Sequence, residues 1–254
     1  MLQLPLDQLL LLLLQDSLLL ALIVRMWFAG LYRLYPYFFS YLLAELARQV
    51  IMSSVPYRSN SYKYFWVSTE GIVASFYVLI VIELYRVILR DLPGIASISR
   101  RYIKVTLVIA TLLSLLLLRA EEAPANWVST FLVIERAIIF SLVLFILLVS
   151  AFLAYYPVPL NRNVIVYSVG YAIYFLTKAT GLFVRTLGHY VAHELSTVLL
   201  IVSSLCLFYW TFVLNRDGEL RRVVVGHKWS KADEERLILK LRAINANLIK
   251  AAKT

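Results

Sequence analysis

Seven apolar stretches of membrane-spanning length follow one another along this chain, and positive charge gathers between alternate ones. A bilayer's hydrocarbon core is about 30 Å thick, and a helix needs about 20 mostly apolar residues to cross it. Backbone amides in lipid must be bonded within the protein, which leaves helices or closed barrels. Runs this long and continuous are not barrel strands. The stretches cover about residues 6–32, 36–55, 62–89, 102–118, 127–156, 163–187 and 190–214. Pro36, Pro56, Pro93 with Gly94, Pro124, Pro157 with Pro159, and Gly188 stand at the breaks, where helix-stopping residues belong. Trp27, Tyr32, Tyr37, Tyr62, Trp66, Trp127, Tyr156 and Tyr190 lie near the ends, as an aromatic belt at the two interfaces does. The expected fold is an all-α membrane protein, a bundle of seven transmembrane helices over residues 1–215 with a basic tail over 216–254.

Orientation follows from the Lys and Arg residues, loop by loop. One set of regions holds Arg33, then Arg86, Arg90, Arg100, Arg101 and Lys104, then Arg162, and the whole basic tail. The other holds Arg58, Lys63, Arg119 and Arg185 alone. The richer side is expected in the cytoplasm, so the N-terminus is expected outside. No basic stretch or small-residue cleavage site accompanies the first apolar run, so that span is expected to be retained. The formal net charge of +10 then needs no nucleic acid. It is the inside bias plus a tail beside anionic membrane lipid. The lone cysteine, Cys206, has no partner for an internal disulfide.

In the tail, Asp233, Glu234 and Glu235 precede an apolar stripe of Leu237, Leu241, Ile244 and Leu248, with Lys250 and Lys253 near the end. Acid first and base last suits a helix dipole. The spacing predicts an amphipathic cytoplasmic helix over about 230–252. It would lie on the bundle or membrane, or contact a second copy or a protein partner.

Ionisable residues inside spans carry the functional argument. Each costs about 2.5–3.5 kcal/mol at mid-membrane on insertion scales, so such groups face the interior and find partners. Asp16, Glu45, Arg48, Glu70, Glu135, Arg136 and Lys178 are of this kind, and most fall in the expected outer half. On the sixth stretch Tyr167, Tyr171, Tyr174 and Lys178 share one face, as Glu45 and Arg48 do on the second. Glu70 shares a face with Tyr77, while Glu83 points roughly 220° away. The candidate ligand-binding set is therefore Lys178, Tyr174, Tyr171, Glu70, Glu45, Arg48, Asp16, Glu135 and Arg136. These residues would either pair with one another across helices or line a cavity for a small polar or anionic ligand, or an ion path.

Sharper chemistry finds little support. His189, His193 and Glu194 form an H-x3-H-E pattern similar to that of zinc-containing seven-helix hydrolases of the adiponectin-receptor type. Those need a further histidine from another helix, and the remaining one here, His227, is in the tail. Lys178 invites a retinal Schiff base, but microbial rhodopsins carry that lysine on the seventh span. No nucleophile–base pair or phosphate loop is evident. No enzyme, metal or cofactor is expected.

The segments around Tyr37–Leu42, Tyr64–Val67, Glu83–Tyr85, Leu92–Gly94 and Val133–Arg136 resemble landmarks of a group of bacterial seven-helix membrane proteins. The resemblance implies the architecture and a bacterial cytoplasmic membrane, and lends no activity. Two functions stay open: a sensory or receptor-like protein reporting through its tail, and a transporter or channel subunit. Few glycines and unbroken spans favour the first. A continuous polar route reaching Glu83 and Arg25 would favour the second.

Overall fold

The computed structural model describes residues 6–55, 60–90, 127–155, 158–187, 192–225 and 231–251. Among these, six long helices build the body: α1 (Leu6–Phe28), α2 (Pro36–Ser54), α3 (Asn60–Ile88), α4 (Trp127–Tyr155), α5 (Arg162–Leu187) and α6 (Ala192–Val213). Their bounds follow the apolar stretches closely. The stretch at 102–118 lies outside the described residues. α1 stops four residues before the expected end. Gly30 takes a left-handed φ of 70°, a conformation that glycine adopts without steric penalty at a helix C-terminus. A single 3-10 turn (Leu31–Arg33) then buries Leu31 and leads into α2.

The helices close a ring, with α1 against α2, α2 against α3, and so on round to α6, which returns to α1. Side-chain pairs fix the directions. Gln8 bonds Thr197 near the starts of α1 and α6, and Arg25 in the last turn of α1 reaches Leu214 just after α6. Tyr64 stacks on Trp127 at the starts of α3 and α4, with ring centroids 5.0 Å apart. Hence α1 runs parallel to α6 and α3 runs parallel to α4, each pair in direct contact. We call the end at which these four helices start the head end, and the other the tail end.

The centre is aromatic. Phe38, Tyr77, Tyr167, Tyr171, Phe175 and Trp210 are almost wholly buried. They interlock mostly edge-on or tilted, as with Phe38 to Trp210 at 5.2 Å and 70°, the arrangement that ring quadrupoles prefer. The outer surface is apolar instead: Leu13, Leu20, Phe140, Leu147, Leu176, Leu205 and Phe212 are exposed. Continuous exposed apolar surface of this kind needs a non-aqueous cover. Among the described residues, three helices are long and apolar enough to cross a membrane, at 8–28, 61–88 and 130–151. A helical chain with these features has the make-up of a membrane protein.

The tail is more closely joined to the bundle than its composition implies. After α6 come a single helical turn, α7 (Asp217–Leu220), and a strand, β2 (Arg222–Val225). β2 pairs antiparallel with β1 (Val158–Asn161), with Val158 opposite Val225 and Asn161 opposite Arg222. Pro157 and Pro159 had marked this region as a break. Proline does sit in edge strands, where its missing donor is tolerated. The amphipathic helix forms as α8 (Lys231–Ala251). Leu241 on its stripe is buried while Arg242 and Ala243 beside it are exposed.

Candidate functional site: a charge cluster on four helices

Glu45 and Arg48 stand one turn apart on α2, where side chains meet. The guanidinium forks onto both oxygens of Glu45, through Nε at 3.0 Å and through Nη2. Its remaining nitrogen, Nη1, donates to Glu70 Oε2 on α3 at 3.2 Å. The other oxygen of Glu70 accepts from Lys178 Nζ on α5 at 2.5 Å. Lys178 Nζ also lies 2.9 Å from Glu135 Oε1 on α4, an ion pair rather than an aligned hydrogen bond. Five charges thus tie four helices together in series. The three acids are buried, Glu135 to 2% exposure.

Tyrosines complete the lysine's surroundings. Tyr77 takes a hydrogen bond from Lys178 Nζ at 3.1 Å, and the same nitrogen lies 4.6 Å from the Tyr77 ring centroid. The Tyr77 and Tyr174 hydroxyls are 3.0 Å apart, and Tyr41 donates to Tyr174 at 3.5 Å. The expected set is therefore largely brought together: Glu45, Arg48, Glu70, Glu135, Lys178 and Tyr174. Tyr171 is buried one turn below, packed on Trp210 at 4.7 Å, with its hydroxyl unpartnered. Asp16 on α1 stands within electrostatic reach of Glu45, and its Oδ1 is buried without a donor. Arg136 lies roughly 100° round α4 from Glu135 and is half-buried. Tyr41 and Tyr77 were not in the expected set, although their spacing of four from Glu45 and seven from Glu70 puts them on the right faces.

Glu83 does something the sequence did not disclose. Its carboxylate accepts the backbone N–H groups of Tyr37 at 2.8 Å and Phe38 at 3.1 Å. The first turn of α2 has no cap of its own, since Tyr35 makes no side-chain capping bond. An acid from α3 therefore supplies acceptors to the orphan donors, at the positive end of the helix dipole. Tyr167 donates to the same carboxylate at 3.4 Å.

A second polar node sits at the tail end. Glu219 on α7 accepts from Tyr35 at 2.7 Å, Asn163 at 2.8 Å and Asn161 at 3.1 Å. Burial, and then the Glu219 charge, push the Tyr35 phenol well above the usual tyrosine range, so it stays protonated and donating. Arg25 donates to the carbonyls of Phe212 and Leu214 that end α6, a favourable place for a cation.

His189 lies outside the described residues, as do the side chains of His193, Glu194 and Arg185. Among the described residues no group of three potential metal ligands comes together. No family model matches the chain, and no curated protein and no solved structure matches it. The architecture and its interior chemistry are the ground for a functional reading.

Proposed function

We propose that this is a non-enzymatic, receptor-like protein of a bacterial cytoplasmic membrane, with seven spans, its N-terminus outside and its tail in the cytoplasm. The path of the chain supports the span count. α3 ends at the tail end and its parallel neighbour α4 begins at the head end, with the apolar stretch 102–118 between them in sequence. The Lys and Arg bias supports the orientation.

One observation carries the functional reading: among the described residues, the head-half cluster holds more acid than base. Glu45, Glu70 and Glu135 share Arg48 and Lys178 as ion-pair partners, and Asp16 stands close by. Unbalanced charge in a low-dielectric interior is costly unless it is neutralised. A proton or a small cation bearing hydrogen-bond donors would balance it. An anion would meet two cations already engaged. Such a ligand would act on α2, α3, α4 and α5 at once, because the cluster joins them. Glu219, a tail residue bonded to Tyr35, Asn161 and Asn163, offers the output a route into the tail and to a partner or second copy.

Conduction of protons or small ions is the second reading. It is favoured by the tyrosines that descend from Lys178 through Tyr77 and Tyr174 toward Tyr167 and Glu83. The unpartnered Tyr171 hydroxyl is the gap in that line.

Titration of the purified protein in nanodiscs with methylammonium tests the first reading. Wild type is expected to gain at least about 2 °C in Tm at saturation. Glu70→Gln should fold but not respond, since Arg48 keeps Glu45 and Lys178 keeps Glu135. Equal responses from both proteins remove the reading. Proton flux into proteoliposomes that falls in Tyr171→Phe would establish the second instead.

A further inference from the structure

The charge cluster ties α2, α3, α4 and α5 together and leaves α1 and α6 outside it. On that other side of the head half lie four buried side-chain oxygens with no hydrogen-bond partner: Gln15 Oε1 and Asp16 Oδ1 on α1, Gln49 Oε1 on α2, and Ser204 Oγ on α6. Ser204 is 5% exposed.

Helix geometry brings these four to one level. α1 ends at Phe28 and α2 starts at Pro36, on the two sides of the tail-end turn. At 1.5 Å per residue, Gln15 and Gln49 each stand about 20 Å from that turn, and Asp16 about 18 Å. The register of α1 on α6 is fixed by two bonds, Gln8 to Thr197 and Arg25 to Leu214, each joining residues 189 apart. The same offset sets Ser204 beside Gln15. Both lie seven residues beyond the Gln8–Thr197 pair, on the same helical faces. Asp16 shares a face with Trp27, eleven residues on, whose ring meets Phe39 of α2 at 6.2 Å. Asp16 is therefore directed to α2, where it comes within electrostatic reach of Glu45. Gln49 is turned from Glu45 by about 40° toward the Phe39 side of α2.

We propose that Asp16, the Gln15 and Gln49 carbonyls and the Ser204 hydroxyl bind an alkali-metal cation between α1, α2 and α6. Carboxylate, amide and hydroxyl oxygens are the hard donors that such ions take, in membrane helices as elsewhere. They differ from the imidazole, thiolate or clustered acids of a transition-metal site. The charge of the set selects a monovalent ion. Glu45 is already held by Arg48, which leaves Asp16 as the one carboxylate to be balanced. Neighbouring cations are engaged elsewhere. Arg48 is turned from Glu45 by about 60° away from α1, onto Glu45 and Glu70. Arg25, the basic residue of α1, is spent on the carbonyls that end α6, and α6 carries no Lys or Arg. Buried oxygens without a donor lose their hydration and gain nothing in return. One ion restores that loss at several of them together and fastens α1 and α6 to the helices of the cluster. The proposal stands on these oxygens and not on the acid content of the cluster, so it can fail while the methylammonium response of wild type holds.

The test uses full-length protein in nanodiscs. Thermal unfolding is followed in sodium, potassium, calcium and choline chloride at matched ionic strength, beside equilibrium binding of radiolabelled sodium. Sodium or potassium is expected to raise Tm by at least about 2 °C over choline, with one sodium bound per chain. Asp16→Asn keeps the shape and removes a buried charge, so it should fold and lose both the gain and the binding. Gln49→Leu leaves the charge in place and should weaken sodium binding about tenfold. Equal Tm in sodium, potassium and choline overturns the proposal, as does undiminished sodium binding in both variants. A larger gain in calcium than in either alkali metal overturns it in favour of a divalent ion. A sodium gain kept by Asp16→Asn and lost in Glu70→Gln moves the ion to the cluster and overturns the site.

Discussion

Lys178 has two carboxylates within ion-pair distance, one from α3 and one from α4, and this decides what its removal does. Lys178→Met leaves Glu70 and Glu135 buried side by side with their shared cation gone. Breaking a buried pair from one side is expected to cost about 3–5 kcal/mol. Lys178→Met combined with Glu135→Gln removes one of the two like charges and leaves Arg48 to serve Glu45 and Glu70. Most of the lost stability should return, since a matched uncharged set can replace a buried ion pair. Thermal unfolding of the single and double variants measures this. A double variant no more stable than the single would show that Lys178 is held by more than its acids. A double variant that is stable and still responds to methylammonium would make Lys178 a strut between helices and leave ligand binding to the remaining acids.

Elements pack here by close approach as well as by charge. A Cβ built on Gly170 in α5 would collide with the indole edge of Trp210 on α6, meeting Nε1, Cε2 and Cζ2. The absence of a side chain at 170 is what lets Trp210 reach the aromatic centre, where it is 2% exposed. Gly170→Ala should therefore destabilise the protein by about 1–3 kcal/mol through overpacking, despite the better helix propensity of alanine. Trp210→Leu should relieve that clash, so the double variant should lose less than the two single losses added together. Strict additivity in a double-mutant cycle would show that the two residues do not collide. At this scale the sequence was readable for the helices and unreadable for the ribbon. Helical periods of apolar residues mark α2, α3, α4, α5 and α6 within about two residues. β1 and β2 are four residues each and far apart in sequence, so neither carries a local signal of the other. The cap of α2 was hidden for the same reason, because its acceptor comes from residue 83 and not from residue 35.

For the whole molecule, membrane orientation is the property that everything else depends on. With Cys206 replaced by serine, a cysteine placed at Asn126 should react with an impermeant thiol reagent on intact cells, and one at Ala246 should be spared. The reverse pattern would invert the topology and put the acidic cluster near the cytoplasm. The parallel contact of α3 with α4 and of α1 with α6 holds whichever way the bundle faces.

By itself the sequence determined the class of protein, the helix positions, the charge asymmetry and which helical faces carry ionisable groups. Those are local properties, set by hydropathy and by a fixed 100° turn per residue. It could also place Lys178 above a column of tyrosines, because all of them lie on one helix. Only the tertiary structure decided the partners. That Glu70 bridges Arg48 and Lys178, that Glu135 is the second acid on the lysine, and that Glu83 caps α2 depend on which helices stand side by side and at what depth. The same holds for the unpartnered oxygens of Gln15, Asp16, Gln49 and Ser204, which three helices bring to one level. Pairing across helices is chosen by the collective packing of the aromatic centre, and no single stretch of chain contains that information.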